Sequence, residues 1–173
     1  TGGEPFLRKD FDKVTNLFIE NCSARYITIP TNASLTDRMV KFIEEVLPNH
    51  PKSFIRLTFS IDGIGDDHDE ARSMPGSYKK ICDSYKVISP LREKYPNLVL
   101  DANSVFTAKS EDSMLDIMKT LNKNFNFNNL SMTYARGDIK DPSLKTNSKD
   151  KYIEVNNFLE TVERSKEKRH LYP

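Results

Sequence analysis

Helical and strand-like segments alternate along the whole chain, and this alternation constrains the fold more than any other feature of the sequence. Four runs are rich in β-branched, aromatic and aliphatic residues, as strands usually are. These runs cover residues 25–30, 54–61, 98–106 and 130–134. Because helical segments separate them, the sequence predicts an α/β fold with parallel strands, right-handed crossovers and helices outside the sheet.

Five helices are predicted from apolar spacing and from residues that start or stop helices. They cover about residues 8–22, 35–47, 78–94, 111–124 and 152–168. Ser34 and Ser110 are predicted to cap the second and fourth helices, and Pro90 is predicted to kink or split the third. The polar stretches 62–76 and 138–149 are predicted as loops. Periodicity alone does not distinguish an open doubly wound sheet from a piece of a barrel.

Charge and composition argue against two classes of partner. The 173 residues match the size of one domain, and 26 Lys and Arg offset 25 Asp and Glu to a formal net charge of +1. Nucleic-acid-binding domains usually carry a basic excess, which this chain lacks. No apolar run approaches the roughly 20 residues needed to cross a bilayer. We therefore expect neither a nucleic-acid nor a membrane partner.

The two cysteines, Cys22 and Cys82, lie far apart in the sequence, and neither has a Cys or His close by. Two thiols cannot form a four-thiolate metal site, so we interpret both as free cysteines. Low cysteine usage is typical of proteins from a reducing compartment. We therefore expect a cytoplasmic protein.

Small polar residues mark the carboxyl ends of the predicted strands, where ligands bind in parallel α/β folds. These positions are Thr31, Asn32, Ser60, Asp62, Asn103 and, further along a loop, Arg72. Residues 134–138 follow the fourth strand in the same way. Asn, Ser, Asp and Gly are also the ordinary residues of turns. Because polar groups recur at consecutive strand ends, we nevertheless expect a polar ligand at this edge of the sheet.

The first residues form a motif of their own, Gly2-Gly3-Glu4-Pro5, which would follow a strand lying upstream. Two glycines allow the backbone to approach a ligand, Glu4 supplies an acceptor for a cationic group, and Pro5 fixes the exit into the helix. A natural chain seldom starts inside a Gly-rich turn without Met. We therefore interpret the sequence as a fragment of a longer protein.

Three motifs together resemble the radical S-adenosylmethionine (SAM) superfamily. TGGEPFLRKDF at the start resembles the family's GGEP motif, and ITIPTNA resembles its strand ending in Thr-Asn-Gly, with Ala33 in place of Gly. SIDGIGDDHDEAR resembles the strand and loop of members with a SPASM or twitch extension. The correspondence extends to about residue 137. GGEP alone is a weak signal, whereas three motifs in order at strand ends are specific.

The resemblance implies a full or partial (β/α) barrel whose first strands are missing from this sequence. It divides the chain into a radical SAM core at 1–137 and a polar loop with a C-terminal helix at 138–173. Missing strands would leave one sheet edge open and apolar helix faces without partners. An exposed edge promotes aggregation, so poor solubility of the segment is expected.

The family's functional positions carry over to residues of this chain. Its GGEP backbone and carboxylate hold the amino group of the SAM methionine, and the matching residues here are Gly2, Gly3, Glu4 and Pro5. The resemblance places Ser60 and Asp62 near the ribose and carboxylate of SAM, directs Arg72 toward the carboxylate, and matches Asn103 to a polar residue of the next strand. Thr31 and Asn32 end the preceding strand. His68 is interpreted as a structural or supporting residue, since no side chain of this segment needs to act as acid or base.

The resemblance also implies the cofactors. In the family, a reduced [4Fe–4S] cluster donates an electron to SAM, which splits into methionine and a 5′-deoxyadenosyl radical that abstracts hydrogen from the substrate. The CxxxCxxC loop that binds the cluster precedes GGEP, so its ligands are expected upstream of this sequence. The segment alone is therefore expected to be inactive. An electron donor such as flavodoxin or ferredoxin is implied.

Three functional readings remain open at this point. A peptide- or protein-modifying maturase with auxiliary clusters is favoured by the SIDG, His-Asp and Arg pattern. The others are a small-molecule enzyme without auxiliary clusters, and a non-catalytic α/β binding module or degenerate relative. Three closely spaced cysteines before Thr1 in the parent chain would distinguish the enzymes from the binding module.

Overall fold

Four strands form one sheet in the computed structural model, which describes residues 3–135, 141–145 and 147–171. They are β1 (Tyr26–Thr31), β2 (Phe54–Ser60), β3 (Leu98–Phe106) and β4 (Asn129–Tyr134). The sheet order is β1-β2-β3-β4, and every neighbouring pair is parallel. The predicted α/β fold with parallel strands is confirmed.

Helices connect and flank these strands. They are α1 (Phe11–Cys22), α2 (Thr36–Val46), α3 (Asp66–Ala71), α4 (Ser77–Ile88), α5 (Leu91–Lys94), α6 (Met114–Asn124) and α7 (Lys149–Leu171), with 3₁₀ turns at Pro5–Leu7, Leu47–Asn49 and Pro142–Lys145. Pro90 separates α4 from α5, so the predicted break is confirmed. Among the described residues, no helix is both long and apolar enough to cross a membrane.

The stretch 62–76 is not a continuous loop as predicted, because it contains α3. This helix has only six residues, and Asp66, Asp67 and Asp69 lie in its first turn. Negative side chains there interact favourably with the helix dipole. A helix this short is not stable by itself, so contacts with the rest of the fold have to stabilise it.

Both predicted serine caps are wrong. The residue before α2 is Leu35, while the Ser34 N–H donates to Asn32 Oδ1 at 3.0 Å in a local turn. Helix α6 begins at Met114 because Ser110 belongs to a separate turn, where its hydroxyl accepts the Thr107 N–H at 3.0 Å. Asn and Ser side chains compete with helix caps by forming such turns.

The two faces of the sheet differ in chemistry. One face packs against α2, α4 and α6 in a hydrophobic core, and its strand residues include Ile29, Ile55, Leu57, Phe59, Leu100, Ala102 and Leu130. The alternate residues form what we call the polar sheet face: Thr28, Arg56, Thr58, Ser60, Asn103, Ser131 and Thr133. These residues are partly or fully exposed. Parallel sheets usually have both faces covered, so an open polar face is unusual.

Strand β1 forms one edge of the sheet. The Phe54 N–H donates to the Arg25 carbonyl at 2.7 Å, and in a parallel pair every second residue directs its backbone groups toward the partner strand. Tyr26, Thr28 and Pro30 therefore direct their backbone groups away from β2. Pro30 has no N–H and therefore weakens this edge as a template for another strand. Beside the edge, an apolar groove of about 300 Å³ lies between α1 and β1, and Phe18 contributes to its wall.

Substitution of neighbouring α1 residues tests whether this face is open in solution. Phe18 is 54% exposed and Ile19 is 6% exposed. We expect Phe18→Ala to reduce self-association, measured by sedimentation velocity, and to change the free energy of unfolding by less than about 1 kcal/mol. The matched Ile19→Ala variant should lose about 2–4 kcal/mol because it leaves a cavity. Equal losses would show that Phe18 is buried.

Candidate functional site: the carboxyl edge of the sheet

The expected site residues lie along one edge of the sheet because the strands are parallel and adjacent. Each strand directs its carboxyl end to this edge, where ligands bind in parallel α/β folds. Gly2 and the residues 136–138 lie outside the described residues. Glu4 and the end of β1 form one group, and Asp62 with Arg72 forms a second.

Glu4 joins the N-terminal loop to the end of β1. Its Oε1 accepts the Phe6 N–H at 3.2 Å and the Thr31 hydroxyl at 2.8 Å, and its Oε2 accepts the Asn32 N–H at 2.7 Å. Glu4 thereby caps the 3₁₀ turn that starts at Pro5. Carboxylate oxygens that accept N–H and O–H donors form strong, charge-assisted bonds. The contact therefore brings the first two motifs of the sequence together.

The turn after β1 occupies the side chains of Thr31 and Asn32. Thr31 is 2% exposed, and its hydroxyl also accepts the Ala33 N–H at 3.0 Å. Asn32 Oδ1 accepts the next N–H, from Ser34. Ala33 has φ = +53°, a conformation that favours glycine, which is the residue expected there from the family resemblance. Thr31 is thus positioned to hold Glu4 rather than to contact a ligand directly.

Ser60 and Asn103 lie opposite each other on the polar sheet face. Asn103 Oδ1 accepts the Ser131 hydroxyl at 3.0 Å, and its Nδ2 donates to Thr133 Oγ1 at 3.4 Å. All four residues are half-buried. A strip of hydroxyl and amide groups therefore crosses three strands near the carboxyl edge. Such a strip can donate to and accept from a polar ligand.

Asp62 and Arg72 form a half-buried ion pair that bridges two strands. Arg72 Nε lies 2.7 Å from Asp62 Oδ2, and the side chains are 33% and 15% exposed, respectively. Asp62 Oδ1 accepts the Val105 N–H of β3 at 2.8 Å. The carboxylate thus ties the end of β2 to β3 and fixes the guanidinium. Both predicted residues meet here, separately from Glu4.

His68 supports this ion pair by bonding to the backbone of Asp62. The ring is 2% exposed, and its Nδ1 accepts the Asp62 N–H at 3.0 Å. Burial lowers the pKa of His68 below its usual value, and the Arg72 guanidinium lowers it further. The imidazole is therefore neutral near pH 7, with its proton on Nε2. The expectation of a supporting role agrees with this position.

Gly63 allows α3 to approach the end of β2. A Cβ at this position would lie 2.6 Å from the backbone nitrogen of His68 and 2.8 Å from the backbone carbonyl carbon of Asp67. Real Cβ atoms do not approach backbone so closely, so the backbone would have to move. Glycine is commonly found where two backbone segments come this close.

Asp69 caps α4 from the neighbouring helix. Its carboxylate accepts the Tyr78 N–H and the Ser77 hydroxyl, each at 2.8 Å, and also the Gly76 N–H. The bond from Tyr78, and then that from Ser77, hold the pKa of Asp69 below its usual value. The adjacent His68 and Asp69 of the motif thus perform different structural tasks.

A cavity of about 650 Å³ adjoins the Asp62–Arg72 pair. Its other walls include Thr107, Lys109 and Ser110 from the loop after β3. The sequence analysis missed these three residues, although they directly follow a predicted strand and that position could have identified them. Arg72 and Lys109 give the cavity two cationic groups, beside three carboxylates from Asp62, Asp67 and Glu70.

The part of the chain that the structure describes offers little for a metal cluster. Within the described residues, no group of three His, Cys, Asp or Glu side chains is arranged to hold a metal ion. Cys22 is exposed and Cys82 is half-buried, where burial raises the pKa of its thiol. Ligands for an iron–sulfur cluster would therefore have to come from outside these residues.

Neither protein-family models nor curated proteins match this chain.

Substitution of Gly63 tests the close packing of α3. We expect Gly63→Ala to lower the free energy of unfolding by about 1–3 kcal/mol, because the new methyl group meets backbone. Urea titration measures the loss, and amide NMR should show displaced signals for Asp62 and His68. Gly76→Ala is the control for a methyl group that meets no other atom, since nothing lies within 4 Å of its Cβ. Its φ of +76° disfavours alanine, so any loss there comes from the backbone conformation and not from packing. Unchanged Asp62 and His68 signals in Gly63→Ala would contradict the packing.

The cap at α4 predicts a pH dependence of stability. Because the pKa of Asp69 is lowered by folding, its contribution is present above the ordinary value of 3.8 and is lost as pH falls through the lower, folded value. Asp69→Asn should therefore lower the unfolding temperature at pH 7 and flatten its decline in acid. Asp116→Asn, at a side chain that is 83% exposed, serves as the control. Parallel acid limbs in wild type and Asp69→Asn would rule out the cap's contribution.

Proposed function

We propose that this chain is the part of a radical SAM enzyme that holds SAM at the carboxyl edge of a partial (β/α) barrel. The observation that supports this most directly is the bonding of Glu4, in the first motif, to Thr31 and Asn32 of the second motif, which lie 27 and 28 residues further along the chain. The unreversed strand order also agrees with a barrel, since doubly wound sheets reverse their order. The open polar sheet face would then line the barrel interior.

The residues present fit a ligand with the charges of SAM. Glu4 Oε2 receives one donor in this structure, and a carboxylate oxygen can accept a second, such as the SAM ammonium group. Gly3 has a φ of +88°, and no atom lies within 4 Å of the place where a Cβ would be, so its backbone is open to a ligand. Ser60 and Asn103 offer hydroxyl and amide groups to a ribose, and Arg72 offers a cation to a carboxylate.

When bound and reduced by a [4Fe–4S] cluster, SAM supplies the radical that abstracts hydrogen from substrate. The residues of this chain bind and orient SAM and help to exclude water, while the cofactors perform the difficult step. The cluster ligands and an electron donor such as flavodoxin or ferredoxin would lie outside the chain. The polar strip on Ser131 and Thr133 would face a substrate with hydrogen-bonding groups, as a peptide has.

A non-catalytic α/β binding module is the alternative, and one observation favours it. The charged groups of the edge already have partners, since Asp62 pairs with Arg72 and Glu4 accepts three donors. Such an edge is stable without a ligand. Binding of SAM is therefore the decisive property to measure.

Isothermal titration of this chain with SAM tests the proposal. We expect Glu4→Gln to weaken binding about tenfold or more, because an uncharged amide replaces a carboxylate that faces a cation. Glu20→Gln on the exposed surface of α1 is the matched control and should bind like wild type. Thermal melts followed by circular dichroism check that Glu4→Gln is folded. Absence of SAM binding to the wild-type chain would favour the binding module.

A further inference from the structure

His68 is linked to both charged residues of the candidate site through a single backbone bond. Its Nδ1 accepts the N–H of Asp62, whose carboxylate in turn holds Arg72 at 2.7 Å and the Val105 N–H at 2.8 Å. Asp62 and Arg72 both line the 650 Å³ cavity, which His68 does not line. The buried ring therefore acts on the cavity only through Asp62.

Only one protonation state of His68 can form this bond. A proton on Nδ1 would replace the acceptor with a donor that points at the N–H of Asp62. It would also add a positive charge near Arg72, whose guanidinium already opposes protonation of the ring. The carboxylates of Asp62 and Asp69 favour protonation, but burial outweighs them. The ring of Tyr78 lies 6.0 Å away, and burial raises the pKa of its phenol to about 12, so that group stays neutral.

We infer that His68 is a positioning residue: in its neutral form it fixes the Asp62–Arg72 pair at the cavity wall, and its protonation in acid weakens ligand binding there. This inference rests on the proposed function, because it concerns regulation of the same SAM site by pH. His68 itself does not touch the ligand. Gly63 belongs to the same arrangement, since its lack of a side chain lets α3 bring His68 under the end of β2.

The direction of the pH effect follows from the neutral ring. The pKa of His68 in the folded protein lies below the ordinary histidine value of 6.5. The bond to Asp62 therefore persists at neutral pH and is lost as the pH falls through this lower pKa. The unfolded chain binds the proton first as pH falls, so stability declines below about 6.5 and levels off below the folded pKa. We expect SAM affinity to fall steadily below pH 6.5, with a loss of less than tenfold between pH 7.0 and pH 5.5, because some of the His68 rings are still neutral at pH 5.5.

Two isosteric substitutions separate positioning from simple packing. The amide oxygen of His68→Asn lies where Nδ1 lies and can accept the N–H of Asp62, whereas that of His68→Gln lies near the place of Nε2. We expect His68→Asn to bind SAM within about twofold of wild type at pH 7.0, with affinity that is flat down to pH 5.5. His68→Gln should bind about tenfold more weakly at both values, measured by isothermal titration.

Proton NMR of the wild-type chain tests the same bond without any ligand. The Asp62 amide signal should shift with the same midpoint as the His68 ring, and that midpoint should lie below 6.5. The matched control is His50→Asn, at a half-buried ring that bonds Asn16 Oδ1 at 2.9 Å; this variant should leave the Asp62 signal and its midpoint unchanged.

The outcomes distinguish this inference from the proposed function. Equal pH dependence in wild type and His68→Asn, or wild-type affinity in His68→Gln, would overturn the positioning role. An Asp62 signal that does not follow His68 would overturn it as well. If the wild-type chain binds no SAM at any pH while the Asp62 signal follows His68, the proposed function fails and the positioning of Asp62 by His68 stands.

Discussion

The carboxylate of Glu4 connects the N-terminal loop to the first strand, and the arrangement of the carboxyl edge depends on this connection. One side chain satisfies two backbone N–H groups and the Thr31 hydroxyl, all of them part-buried and in need of an acceptor. Because Thr31 also stabilises the left-handed turn at Ala33, the start of the connection to α2 depends on the same contact. Loss of Glu4 would therefore affect several elements at once.

The second half of the edge is organised by a different carboxylate. Asp62 uses both oxygens to link strands β2 and β3 to α3, and His68 holds its backbone in place. The carboxylates of Glu4 and Asp62 have the same effect at the ends of β1 and β2, since each accepts donors from neighbouring elements and thereby fixes a loop. In both cases the carboxylate of the sequence motif is already bonded to other groups of the protein. A ligand would meet a surface that is already formed, which lowers the entropy cost of binding.

The strands and most helices could be predicted because their apolar residues repeat with the right period over many positions. The break at Pro90 was predicted correctly because proline lacks an N–H wherever it occurs. Helix α3 could not be predicted, since six mostly acidic residues carry no periodicity and gain their stability from contacts of His68 and Asp69 with distant backbone. The serine caps failed because Ser34 and Ser110 belong to local turns, in which the Ser34 N–H donates to Asn32 Oδ1 and the Ser110 hydroxyl accepts the Thr107 N–H. Candidate site residues were predicted where a motif marked them, whereas Lys109 lies in an ordinary loop and becomes a candidate only because it lines the cavity.

The order of the strands has a consequence for how such a fold is built. Each strand pairs with the strand next to it in the sequence, and the helices that follow β1, β2 and β3 pack on the same face. The architecture is therefore additive: every strand-and-helix unit contacts mainly its neighbours, as in a repeat protein. A further unit placed beside β1 would extend the sheet and cover the apolar side of α1 without breaking any existing strand pair. Growth by such units lets a chain change the width of its sheet while the chemistry at each established strand end is left intact.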